Sequence, residues 1–111
     1  FRANDDRYSS KLIAINPPIQ ARFLRVNPQS YHSWIALRVE FYGCKADPCD
    51  VPLGVEDGRV TKQGMTASSM VNTYYGPWSG RLQARNHGRT RGGWVAQRND
   101  RKQWLQVDLG T

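Results

Sequence analysis

Residues able to do chemistry are few and gather late in the chain. Tyr74-Tyr75 sits inside a polar stretch, Thr66–Trp78, rich in Gly, Pro and Asn. Close behind follow Arg81, Arg85, Arg89, Arg91, Arg98, Arg101 and Lys102, with Asp100 the one acid among them. Outside that window nine basic groups face eight acidic ones, so almost all of the net charge of +7 lies in one place. A basic stretch beside aromatic side chains suits an anionic partner: lipid headgroups, acidic glycans or nucleic acid. A Tyr joins an apolar ring to a polar hydroxyl and fits a boundary that is dry on one side and wet on the other. Catalytic patterns are missing: no Gly-x-Ser-x-Gly elbow, no His-Glu-x-x-His, no phosphate-cradling glycine loop and no acidic pair placed for acid–base work. The reading is a binding module, not an enzyme.

The elements that hold these residues follow period two. From Trp34 to Tyr42, Ile35, Leu37, Val39 and Phe41 fall on one face and Ala36, Arg38, Glu40 and Tyr42 on the other. Trp104–Leu109 repeats the pattern with Leu105, Val107 and Leu109 inward. Arg22–Val26 is a third strand, with Leu24 and Val26 sharing a face. Breakers divide them at Asn16-Pro17-Pro18, Asn27-Pro28, Asp47-Pro48, Gly76-Pro77 and Gly92-Gly93. Short strands, dense turns and no convincing helix predict an all-β antiparallel sandwich or barrel. Thr66–Trp78 reads as a long loop with Tyr74 and Tyr75 near its tip.

With 111 residues the chain is sized for one domain. Its 39% hydrophobic content and four Trp exclude a disordered tail, and no apolar run reaches membrane-spanning length. It opens on Phe1 without a signal-peptide core, which fits a segment of something larger or a processed chain. Cys44 and Cys49 bracket the best candidate boundary. With four residues between them and no His at finger spacing, they make a poor zinc site and point instead to disulfides and an extracellular home. The spacing leaves open whether they pair with each other.

Longer motifs carry a resemblance. Cys49-Asp-Val-Pro-Leu-Gly-Val-Glu-Asp-Gly58, Met65-Thr-Ala-Ser-Ser69, Trp78-Ser79, Gly93-Trp94 and Gln103-Trp-Leu-Gln-Val-Asp-Leu-Gly110 resemble the opening half of a discoidin domain, the type C domain of coagulation factors. Asn16-Pro-Pro-Ile-Gln-Ala-Arg-Phe-Leu-Arg-Val26 and Trp34-Ile-Ala-Leu-Arg-Val-Glu-Phe-Tyr-Gly-Cys44 resemble its closing half. The order is reversed and the central strands are absent. The resemblance therefore implies residues 1–44 as the end of one domain, 45–48 as a linker and 49–111 as the start of the next. A shortened circular permutant is the alternative. In an array Cys44 and Cys49 each pair outside the chain; in a permutant they pair with each other.

The resemblance further implies a distorted jelly-roll sandwich whose spike loops bind. Residues 69–78 map to the first spike, tipped by Tyr74 and Tyr75, and 89–93 to the second. Tyr74, Tyr75, Arg85, Arg89 and Arg91 are the expected ligand-binding set. The expected partner is an anionic phospholipid surface or a cell-surface glycan. Tyr tips are less apolar than those of strong membrane inserters, which favours glycan or protein binding, including a matrix or receptor protein. Nucleic acid is not an expected partner, although Arg89-Thr-Arg-Gly-Gly93 resembles a short Arg-Gly segment. No cofactor is expected. Some family members use calcium, and no acidic cluster in this chain supports a site for it. Trp34, Trp78, Trp94 and Trp104 read as scaffold, and Arg22, Arg25 and Arg38 as charges on a sheet face.

Overall fold

The computed structural model describes residues 10–15, 19–31, 33–43, 51–82, 86–87 and 90–110, with backbone alone at 51, 86–87 and 90–91. Among the described residues nine short strands appear in chain order: β1 (Phe23–Val26), β2 (Ala36–Leu37), β3 (Tyr42–Gly43), β4 (Val51–Pro52), β5 (Met65–Ala67), β6 (Asn86–His87), β7 (Thr90–Arg91), β8 (Trp94–Val95) and β9 (Leu105–Asp108). A three-stranded sheet has the order β1-β9-β5, and β2–β8, β3–β4 and β6–β7 form two-stranded pairs. All of these pairings are antiparallel. The fold is an all-β antiparallel sandwich, as the alternation predicts.

Register places the apolar residues. Leu24 lies opposite Val107 and Val26 opposite Leu105 across β1–β9, while Met65 and Ala67 meet the same two residues from β5. Directly opposed residues share a face, so all six point inward. Facing them, β2–β8 sets Leu37 opposite Trp94. Two clusters fill the space between the layers. Ile35, Trp94, Ala96 and Leu105 form one; Val55, Val60, Met65 and Val107 form the other. Val39 packs against both.

The long strand expected over Trp34–Tyr42 keeps its alternation but not its continuity. Val39 leaves the two-stranded pairs and exchanges backbone hydrogen bonds with the segment 80–82, donating to Gly80 and accepting from Leu82. Ile35 is buried, whereas Ala36, Arg38 and Tyr42 are exposed. Glu40, expected outward, is half-buried because its carboxylate accepts the N–H groups of Gly54 and Glu56 at 3.0 and 2.7 Å. That turn needs a glycine: Gly54 has φ +106°, and a Cβ there would press on Arg59. The Pro-Leu-Gly-Val-Glu-Asp-Gly motif thus folds onto Glu40 from the other half of the chain.

The outer sheet face carries the predicted charges. Arg22 forks onto Asp108 at 2.8 and 3.1 Å, which holds that carboxyl below its usual range. Arg25 stacks 3.8 Å from the Trp104 ring centroid and donates to Gln106. Trp94 is fully buried and Trp78 and Trp104 half-buried, as scaffold residues should be. Trp34 departs from that expectation. It is 63% exposed, because its neighbour Ile35 takes the inward side of the strand.

Burial sets two opposite expectations. Leu105 is fully buried at the centre of the sheet, so Leu105→Ala should cost about 2–5 kcal/mol in a urea titration. Ser79 is also buried, yet its hydroxyl has no hydrogen-bond partner among the described residues. Ser79→Ala should therefore leave stability unchanged or raise it by about 1 kcal/mol. A loss comparable to that of Leu105→Ala would contradict the packing.

Candidate functional site: an aromatic turn beside a basic segment

After β5 the chain leaves the sheet and makes two 3-10 turns, Thr73–Tyr75 and Pro77–Ser79. The loop expected over Thr66–Trp78 is therefore strand at its start and ordered turn at its end. Asn72 caps the first turn: its side-chain oxygen accepts the Tyr74 N–H at 2.9 Å. Tyr75 N–H reaches the Asn72 carbonyl at 3.1 Å. Tyr74 is 42% exposed and Tyr75 half-buried, so the tip offers Tyr74 more than Tyr75 to solvent.

Beneath the turn lies a polar brace. The Ser68 and Ser69 hydroxyls both donate to the buried Gln103 side-chain oxygen, at 2.9 and 2.6 Å. The Gln103 amide donates to Asp100 at 2.9 Å, which with the Lys102 N–H keeps that carboxyl below its usual range. The Trp94 indole N–H donates to the Ser69 carbonyl at 2.8 Å. Val71 N–H reaches the Val95 carbonyl at 3.0 Å. The root of the loop is thus tied to β8 and to the segment entering β9.

Beside it opens a cleft of about 310 Å³ lined by Met65, Ala67, Met70, Pro77 and Trp78. Lys62 lies over the Trp78 ring, 4.3 Å from its centroid. The same indole lies against Gly76, where an added Cβ would overlap the ring.

Of the expected binding residues, the structure brings Tyr74 and Tyr75 together and sets their turn against β7. Arg91 contributes only backbone to the description, as part of β7. Arg85, Arg89, Cys44 and Cys49 lie outside the described residues. Arg81, part of the basic window, turns inward. It donates to the Val55 and Val60 carbonyls at 2.7 Å each, and burial lowers its pKa. Arg98, Arg101 and Lys102 are exposed.

Sequence reasoning missed Asn72, Gln103, Lys62 and the Trp78 cleft. Asn before a turn is a readable signal; a buried Gln and a cation over an indole leave none. Among the described residues no group of three His, Cys, Asp or Glu could hold a metal ion. Nor does any helix have the length and apolarity to cross a membrane.

Comparison with known proteins covers nearly the whole chain. It is 39% identical over 110 residues to coagulation factor V of Pseudonaja textilis, and 38% identical over 117 residues to lactadherin of Rattus norvegicus. The matches cover 98% and 100% of the chain. It is a homologue of factor V and lactadherin, which carry discoidin domains. It spans 8% of the snake factor V and 27% of the lactadherin. Another relative, 36% identical over 109 residues, is a venom prothrombin activator non-catalytic subunit, again from Pseudonaja textilis. No family model matches the chain, and no solved structure matches it significantly.

Gly76 makes the turn testable. Its φ of −70° is open to any residue, so only the indole forbids a side chain. Gly76→Ala should displace Trp78, shift its fluorescence and cost about 1–3 kcal/mol in thermal unfolding. An unchanged emission spectrum and Tm would show that the indole does not cover Gly76.

Proposed function

We propose that the chain attaches to anionic phospholipid surfaces. Tyr74 and Tyr75 enter the headgroup layer, and Arg85, Arg89 and Arg91 meet its charge. The observation that carries this reading is the Asn72-capped aromatic turn, which presents Tyr74 to solvent beside β7. Burying a Tyr ring at the interface is favourable and unscreened by salt, whereas each nearby Arg adds roughly 1 kcal/mol that salt weakens. A cell-surface glycan is the second reading. It is favoured by the open Trp78 cleft with Lys62 at its ring, a stacking surface with a cation beside it.

Co-sedimentation with phosphatidylserine-containing and pure phosphatidylcholine vesicles at physiological salt tests the proposal. Binding to the anionic vesicles alone is expected. Tyr74→Ala with Tyr75→Ala should weaken it by about tenfold or more, since even partial ring burial is worth more than 1 kcal/mol. Parent-like binding by the double variant would remove the aromatic turn from the site. Failure of the folded chain to bind either vesicle, with binding to a soluble sulfated glycan, would favour the second reading.

We further propose that residues 1–44 end one discoidin domain, 45–48 link, and 49–111 begin the next. One continuous alignment with factor V over 110 residues, in the order found here, supports this. Cys44 and Cys49 then pair with partners beyond the chain. Peptide mapping of the oxidised, isolated chain should find both thiols free; a Cys44–Cys49 bridge would favour the permuted unit.

A further inference from the structure

A second surface joins aromatic rings to cations, and it lies away from the Tyr74 turn. Gln97 N–H donates to the Ser69 hydroxyl, Val71 N–H reaches the Val95 carbonyl, and the turn Thr73–Tyr75 packs against β7. Residues 69–75 therefore run antiparallel to 91–97, and the segment 98–102 continues past the root of the loop, away from its tip. There Asn99 laces two loops together. Its side chain accepts the Ile35 N–H at 3.0 Å and donates to the Ser33 carbonyl at 3.4 Å. Its own carbonyl accepts the Tyr31 hydroxyl at 2.9 Å. Ser33, with φ +68°, is the one described residue other than glycine in the left-handed region. Past this bend Ile35 enters the core, while Trp34 and Tyr31 stand 63% and 48% exposed.

Charge completes the surface. Arg98, Arg101 and Lys102 are exposed. The ion pairs among the described residues are Arg22–Asp108 and Arg59–Asp57, so these three cations are unpaired there. Asp100, the acid between them, accepts the Lys102 N–H and the Gln103 amide through one carboxylate oxygen. The polar groups that suit sugar hydroxyls are already engaged. The Asn27 amide donates to the Gln103 carbonyl, the Gln29 amide to the Asn27 side chain, and the Tyr31 hydroxyl to Asn99. Rings and positive charge remain outward.

We propose that this surface docks an acidic segment of a partner protein, one with an apolar side chain to cover the Trp34 ring. Trp, Tyr and Arg dominate the energetics of protein–protein contacts, and the three cations complement carboxylates. The amides that a glycan would engage are turned to the brace between the loops. That brace holds Trp34 and Tyr31 before contact, which spares ordering cost. A chain resting on a membrane through Tyr74 keeps this surface free, because the loop 69–78 points the other way. None of these residues belongs to the proposed lipid contact, so either surface can fail its test alone.

The probe is a synthetic peptide, Glu-Glu-Phe-Glu-Glu-Phe-Glu-Glu, titrated into the isotopically labelled chain and followed by amide and indole chemical shifts. The shifts should gather at Tyr31, Trp34 and residues 98–102. Replacing every Glu of the peptide by Gln, or both Phe by Ser, should weaken binding. Trp34→Ala should weaken it by about tenfold or more with Tm unchanged, the loss expected for truncating an anchoring aromatic. Tyr74→Ala with Tyr75→Ala should leave peptide binding unchanged, and Trp34→Ala should leave binding to phosphatidylserine vesicles unchanged. If Trp34→Ala does not fold, Arg98→Glu with Arg101→Glu, both exposed, should produce the same loss. Absence of shifts at these residues, or parent-like affinity in the variants, would overturn the proposal. So would loss of vesicle binding in Trp34→Ala, or the same shifts induced by a sulfated oligosaccharide and not by the peptide.

Discussion

Everything in this molecule leans on β9. It is the middle strand of the three-stranded sheet, paired with β1 on one side and β5 on the other. Leu105 and Val107 are buried to 1% exposure or less, and each belongs to a different core cluster. One four-residue strand thus joins the early part of the chain to the late part and the two clusters to each other. Its outward residues also work. Asp108 takes the Arg22 fork, and Gln106 meets Arg25. Burial drives the assembly, and the outer polar pairs select its register.

The aromatic turn follows from that frame. Val107 and Leu105 fix Met65 and Ala67, so β5 can run only toward the Ser68–Ser69 brace. Gln103, two residues before Leu105, supplies the acceptor for both hydroxyls. The aromatic turn therefore grows from the same strand pair that organises the core. Tyr74 thus stands on backbone that is already held, which lowers the ordering cost of the contact proposed for it.

Much of this was legible in the residues. Alternation identified the inward sets Leu24/Val26, Ile35/Leu37/Val39/Phe41 and Leu105/Val107 without any knowledge of partners. It could not say which strand each would meet, because period two specifies a face and not a neighbour. Hence the split of Trp34–Tyr42 was invisible: Val39 bonds to Gly80 and Leu82, in a remote segment of the chain. Glu40 was read outward for the same reason, since the N–H groups it caps belong to a remote turn. The exposure of Trp34 was implicit in Ile35 pointing inward, but size and aromaticity suggested scaffold. Local composition marked Tyr74-Tyr75 as the tip of a loop, and the family motifs added only the expectation that such a loop binds.

The central claim is that β1 and β9 form one sheet across the two parts of the chain. Nuclear Overhauser contacts between Leu24 and Val107, and between Val26 and Leu105, test it most directly. Cross-strand contacts in that register, with slow amide exchange in β1 and β9 alike, are the predicted result. A protected β9 paired with β5 alone, beside a β1 whose amides exchange freely, would contradict it.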